Sequence, residues 1–391
     1  MNRIITIVAI SFLSTTGAFS QNTEVIIAEV ESNNTTLIAL RKNADAERIG
    51  NMTGLSLKNP ELGFSYLLGS PQTIGNRNDI SIMQSFDFPT AYAYRNQISE
   101  LRNLQVELEL ERQRRDILLQ ARQLCNSIIY HNAMQAEFGR RLENARRLAD
   151  SYEAKYKAGE SGIIDFNKSR ANLLNLQKDS ESNGIERQAL LAVLISLNGG
   201  KPVELTDTVF PFQALPADFE EWYAMAEQNN PLLQWLRQEV LVSRKDEQLS
   251  LAMSLPRLQA GYMSEKVVGQ QYQGISFGIA IPLLENRNEV KYARARTVAV
   301  QSAENDARIQ FYNNLKALHE KAVSLRKSLD DYRQNLQVYS STSLLLKALD
   351  HGELSLAEYL YEQTFYYESF NKLIALEKEL YDTVARLNMY R

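Results

Sequence analysis

The sequence predicts a mainly α protein with a small β part, built as two copies of one long module. Three observations carry that expectation. Four local patterns recur in the same order about 195 residues apart. Only 17 Gly and 9 Pro punctuate 391 residues, so long uninterrupted elements are expected. Four short segments leave the helical spacing for strict alternation of apolar with small or polar residues.

Residues 1–20 are set apart from the fold as a signal peptide. Asn2 and Arg3 give a positive start, Ile4 to Leu13 an apolar core, and Ala18-Phe19-Ser20 a small-x-small cleavage site before Gln21. Export is therefore expected, and no Cys follows the site to carry a lipid. Beyond Leu13 no run of 18 apolar residues exists, so no membrane-spanning helix is expected.

The first copy is assigned to residues 21–198 and the second to residues 222–391, joined by a Gly- and Pro-containing linker at 199–221. Asn33-Asn34 with Leu37, Leu40 and Arg41 returns as Asn229-Asn230 with Leu233, Leu236 and Arg237. Phe86-Asp87-Phe88-Pro89 returns as Ile279-Ala280-Ile281-Pro282. Gly159-Glu160 with Asp165-Phe166 returns as Gly352-Glu353 with Glu358-Tyr359. A period this long excludes a solenoid.

Ala91 to Lys157 contains no proline, and Ile98, Leu101, Leu108, Ile117, Leu124 and Ile128 recur at helical spacing amid Glu, Gln and Arg. Such a helix reaches about 100 Å at 1.5 Å per residue. Asn286 to His351 has the same character, and shorter returning helices are expected near Asp165 to Asn198 and Leu356 to Tyr390. Helices of this length need neighbours throughout, so coiled-coil pairing is expected.

Leu62, Phe64, Tyr66 and Leu68, then Ile80, Ile82, Phe86 and Phe88, take alternate positions in the first copy. Leu258, Ala260 and Tyr262, then Ile275, Phe277, Ile279 and Ile281, do so in the second. One such hairpin alone suits a soluble amphipathic sheet. Two that each lead into a long helix suit membrane strands, and four strands cannot close a barrel, so several chains must contribute. Pro89 and Pro282 mark the barrel–helix junctions, where a missing N–H is tolerated. Gly69 to Asn78 and Ser264 to Gln273 are expected as loops.

The ordered set resembles the TolC family of outer-membrane channel-tunnels, the exit ducts of tripartite efflux pumps and type I secretion systems. The carriers are the duplicated element order, Asn229 to Leu233, and the turns Lys157-Ala158-Gly159-Glu160 and Asp350-His351-Gly352-Glu353. The resemblance implies a homotrimer in the bacterial outer membrane whose protomers each give four strands to one β-barrel, continued across the periplasm by a long α-helical barrel. It also implies a periplasmic adaptor protein and an inner-membrane pump, for which the resistance-nodulation-division type is one candidate. Lys157, Gly159, His351 and Gly352 would then be the docking tips. Glu160, Asp165, Glu353 and Glu358 would stand at the periplasmic aperture, with Asp165 and Glu358 at positions where the family often presents acids to the tunnel. Glu160 and Glu353 equally suit solvated helix starts. Where some members flank the second Gly with a Tyr and an Arg that tie protomers shut, this chain has Leu349 and Leu354.

No enzyme, cofactor or metal is expected. His131, His319 and His351 share no ligand spacing with one another or with Cys125, and no phosphate loop or nucleophile elbow occurs. Forty-three basic against 47 acidic residues, net −4, give no electrostatic case for nucleic acid. The alternative from another class is an exported trimeric coiled-coil scaffold without channel activity.

Overall fold

A computed structural model of the chain describes residues 21–282, 286–339 and 342–391. The expected signal peptide, residues 1–20, lies outside the described residues. The elements run α1 (Gln21–Asn33), α2 (Thr35–Asn51), β1 (Glu61–Leu67), β2 (Arg77–Phe86), α3 (Pro89–Lys157) and α4 (Ile163–Leu197). They repeat as α5 (Phe219–Asn229), α6 (Pro231–Met253), β3 (Arg257–Val267), β4 (Gln270–Ala280), α7 (Glu289–Tyr339), α8 (Thr342–Asp350) and α9 (Leu356–Asn388). The fold is mainly α with one four-stranded antiparallel sheet in the order β1-β2-β3-β4.

Two compact units form, and each draws on both sequence copies. Of the described residues, one comprises 21–35, Arg115–Phe219 and Lys316–Met389; the other comprises Thr36–Arg114, Glu220–Leu315 and Tyr390–Arg391. In the first unit the core joins Ile26, Ile27 and Val30 of α1 to Ala121, Cys125, Ile128 and Ile129 of α3, Leu194 of α4 and Tyr381 of α9. The linker closes this core. Leu205 and Phe210 are buried in it, Phe210 stacks on Tyr381 at 5.0 Å, and Asn132 Nδ2 donates to the carbonyls of Leu205 and Asp207 at 2.9 Å each. Cys125 is fully buried, and loss of solvent pushes its thiol up to about 12, which fits a packing role. The second unit holds the sheet with α2, α5 and α6; Tyr223 meets Tyr312 edge-on at 4.9 Å, and Tyr312 Oη donates to Glu220 at 2.8 Å.

The recurring Asn-Asn pairs are helix breaks, and their chemistry explains why Asn stands there. Asn230 caps α6: its Oδ1 accepts from the N–H groups of Leu232 at 2.8 Å and Leu233 at 3.3 Å, with Pro231 at the first helical position. That satisfies two donors that the first turn leaves without helical partners. Asn34 separates α1 from α2 and is buried; its Nδ2 donates to the Leu197 carbonyl at 2.8 Å at the end of α4. Leu37 and Leu233, equivalent in the repeat, are both buried on the helices that follow.

Two expectations are corrected. Ser264 to Gln273 is not a loop: β3 runs to Val267 and β4 starts at Gln270, leaving Val268-Gly269 as a two-residue turn with Gly269 at φ 77°. That positive φ suits the tight hairpin. The helix expected from Asn286 begins at Glu289, after a turn in which Asn288 has φ 69°. The rest of the helix expected to His351 is described as α7 to Tyr339 and α8 from Thr342 to Asp350, and residues 340–341 lie outside the described residues.

Replacing the α6 cap tests this account: Asn230→Ala should cost about 1 kcal/mol, and Asn230→Ser should restore most of it. Unfolding of the purified protein, followed by circular dichroism, measures the difference.

Candidate functional site

The register sorts the sheet into two faces of opposite chemistry. On one face Phe86, Leu258 and Ile279 form a row; above it lie Gln84, Ala260 and Phe277, then Leu62, Ile82, Tyr262 and Ile275, then Phe64, Ile80, Ser264 and Gln273. Its large side chains find no cover in the chain: Leu62 is 79% exposed, Ile275 76% and Phe277 80%. An apolar patch of this kind marks a surface that something else covers.

The other face is small and polar. Gly63, Ser81, Met263 and Gly274 share one row, and Glu61, Met83, Gly261 and Ser276 the next. A Cβ on Gly261 would overlap the Ile82 carbonyl and Met83, so that position requires the bare backbone, while one on Gly63 would meet only the Ser81 hydroxyl. Near the hairpin ends the same face carries a charged row, Ser65, Asp79, Glu265 and Tyr272. Arg77 bridges both acids, Nε to Asp79 at 2.7 Å and Nη1 to Glu265 at 3.1 Å. Sequence reasoning missed these three residues because Glu265 had been placed in a loop. The period-2 spacing of Arg77, Asp79 and Ser81 was the available signal.

At the first junction Pro89 opens α3 and the Ala91 N–H donates to the Phe88 carbonyl at 2.8 Å. Asp87 is buried and pairs with Arg95 at 2.7 Å, and its N–H donates to Tyr92 Oη at 3.0 Å. The second junction differs: Pro282 precedes residues 283–285, which lie outside the description, and the counterpart of Asp87 is Ala280, which cannot form the ion pair.

The two helical turns are copies of each other, bond for bond. After α3 the N–H groups of Ala158, Gly159, Glu160 and Ser161 donate to the carbonyls of Ala154, Tyr156, Lys155 and Lys155. After α8 those of His351, Gly352, Glu353 and Leu354 donate to Lys347, Leu349, Ala348 and Ala348, each position 193 residues on. Gly159 at φ 78° and Gly352 at φ 74° supply the left-handed residue that ends such helices. Packing around the turns is also paired: Tyr156 stacks on Phe166 at 5.3 Å, and their counterparts Leu349 and Tyr359 are buried together with Leu148, Tyr152 and Leu356. Leu349 is thus a core residue of its own protomer, while Leu354 is half-buried.

The expected aperture and docking residues have distinct settings. Glu160, Glu353, His351, Gly159 and Gly352 are exposed. Lys157 is bound to Glu153 at 2.7 Å, and Glu153 also pairs with Arg170 at 3.3 Å. Asp165 is half-buried in the first turn of α4. Burial pushes the Tyr152 hydroxyl up, and the nearby charges of Asp165 and Asp350 add to it, so the two turns share one acidic neighbourhood. Glu358 closes a capping box. Its Oε2 accepts from the Ser355 N–H at 2.8 Å and Oγ at 2.7 Å, while the Glu358 N–H donates to Ser355 Oγ at 3.3 Å. The first copy has Gly162 in place of Ser355 and makes no side-chain cap.

The histidines in the long helices serve packing. His131 Nδ1 bonds Asn183 Oδ1 at 2.8 Å and His319 Nε2 bonds the Pro216 carbonyl at 3.0 Å. Among the described residues no cluster of three His, Cys, Asp or Glu could hold a metal ion, and no helix is long and apolar enough to cross a membrane.

No family model and no curated protein matches the sequence. Solved structures match closely in fold. The Campylobacter jejuni CmeC outer membrane channel aligns at TM-score 0.78 and 14% identity, covering 95% of this chain and 85% of its own. The outer-membrane channel OprN aligns at 0.80 and 13%, covering 94% and 89%, and Vibrio cholerae VceC at 0.77 and 12%, covering 94% and 95%. This chain therefore has the fold of the outer-membrane channel proteins, the architecture of the TolC family.

The capping box makes a pH-dependent prediction. The Ser355 N–H and hydroxyl hold the Glu358 carboxyl below the usual 4.5. A lowered folded-state value means that this stabilisation is complete above 4.5 and fades as pH falls through the lowered value. The stability gap between wild type and Glu358→Ala should be wide at pH 7 and narrow progressively in acid, as read by unfolding titrations at each pH.

Proposed function

We propose that this chain is one protomer of a trimeric outer-membrane exit duct, conducting small solutes from a periplasmic adaptor and an inner-membrane pump to the exterior. The observation that carries the reading is the open sheet. β1 and β4 each have one edge with no neighbouring strand among the described residues, and the large apolar residues of one face are bare. In hydrocarbon each unpaired backbone group costs several kcal/mol. Joining β4 of one copy to β1 of the next removes every edge, and the four-strand up-and-down order keeps each new pair antiparallel. Three copies make twelve strands, an even number as such barrels require. With 10, 11 and 11 residues, β2, β3 and β4 match the roughly 9–11 needed to cross the bilayer core.

On this reading Ile275, Phe277 and Ile279 meet lipid, and Gly63, Ser81, Gly261 and Ser276 line water. Lys157, Gly159, His351 and Gly352 dock the adaptor, and a pump of the resistance-nodulation-division type feeds it. Glu160, Asp165, Glu353 and Glu358 surround the periplasmic aperture, where a carboxylate ring favours cations. Asp165 is the strongest of the four, because Glu358 is already engaged by Ser355.

Reconstitution tests the duct. The protein should require detergent for extraction and give discrete conductance steps in a planar bilayer; a water-soluble chain without conductance would support the scaffold instead. Phe277→Arg, on the lipid face, should cost about 2–4 kcal/mol if near the bilayer midplane and should sharply reduce inserted trimers, whereas Phe277→Leu should insert normally. Asp165→Asn combined with Glu358→Gln should lower the cation preference measured by reversal potential.

A further inference from the structure

We propose that Arg77, Asp79 and Glu265 form a second charge-selective ring at the outer mouth of the duct, separate from the periplasmic aperture. The inference rests on the duct reading above. Asp79 and Glu265 are direct partners across β2 and β3, an arrangement in which two like charges repel. Arg77 reaches both, at 2.7 and 3.1 Å, and so makes the pair tenable without neutralising it. One guanidinium against two carboxylates leaves each protomer with a net negative charge in this row.

The register independently fixes which way the row faces and how deep it lies. It shares the face of Gly63, Ser81, Gly261 and Ser276, opposite the bare Leu, Ile and Phe residues that cannot tolerate ionised neighbours in lipid. At the same level the apolar face turns polar: Tyr66, Asn78, Lys266 and Gln271 form the next row toward the hairpin ends. An aromatic ring and a long cation at that border are what a membrane–water interface selects. The Asp79–Glu265 pair therefore lies just inside the interface on the water-filled side. Threefold closure repeats the acidic pair and its Arg77 three times around the rim, a net negative ring that enriches permeating cations and rejects anions. The rim has no counterpart among the turn carboxylates, so the two ends of the duct select by charge independently.

Reversal potentials under a KCl gradient test the ring, with Asp165→Asn/Glu358→Gln as the reference for the other end. Asp79→Asn/Glu265→Gln should lower the cation-to-anion permeability ratio by about twofold or more at 0.1 M salt and by less at 1 M, where the screening length falls from about 10 Å to about 3 Å. Arg77→Gln should change the ratio in the opposite direction, which protects the test if the double variant inserts poorly. Hexaamminecobalt(III) added on the hairpin side should block wild type more strongly than the double variant. A conducting wild type whose ratio is unmoved by either substitution overturns the ring and leaves the duct intact. A wild type that never conducts overturns the duct, and the ring with it.

Discussion

The structure depends on the backbone hydrogen-bonding demand of four strands that end in two open edges. A sheet whose edges and apolar face are both bare is incomplete as a single chain, because water is a poor neighbour for Phe277 and Ile275 and hydrocarbon is a poor neighbour for unpaired N–H and C=O groups. On the proposed duct reading, closure by further copies would answer both demands together. The same reading accounts for the alternation along β2, β3 and β4, since a wall between lipid and water would need opposite chemistry on its two faces and the strand repeat supplies it at every second residue.

Duplication supplies the rest of the architecture cheaply in information. The same Asn-marked helix break, the same hairpin and the same glycine turn are each used twice, and the turn bonds coincide position by position. Divergence between copies is equally instructive. Asp87 pairs with Arg95 only in the first junction, and the Ser355–Glu358 capping box exists only in the second turn. Each copy has therefore acquired its own local fastening on a shared backbone plan.

The glycine turns and the first strand–helix junction were legible before the fold was known, for identifiable reasons. Gly159 and Gly352 stood out because few residues tolerate a positive φ, and Pro89 because a residue without an N–H opens a helix easily. The Ser355 to Glu358 spacing carried a capping-box signature that could have been read from the sequence but was not. The Arg77–Asp79–Glu265 bridge was not legible, because its members come from two strands whose register depends on pairing across 186 residues of sequence. Charged residues at 265 and 266 also imitate a loop when the tight turn at Val268-Gly269 goes unrecognised.

By itself the sequence determined the helical class, the twofold recurrence of elements, the Asn-marked breaks and the two glycine turns, and the two faces of each strand. All of these are local properties, written in propensity, period and the special geometry of Gly, Pro and Asn. Only the tertiary structure decided that β2 pairs with β3, that the linker packs Phe210 on Tyr381, that Leu349 is buried within its own protomer, and that one arginine spans two acids. Those outcomes depend on which distant segments meet, and no periodicity along the chain encodes a meeting.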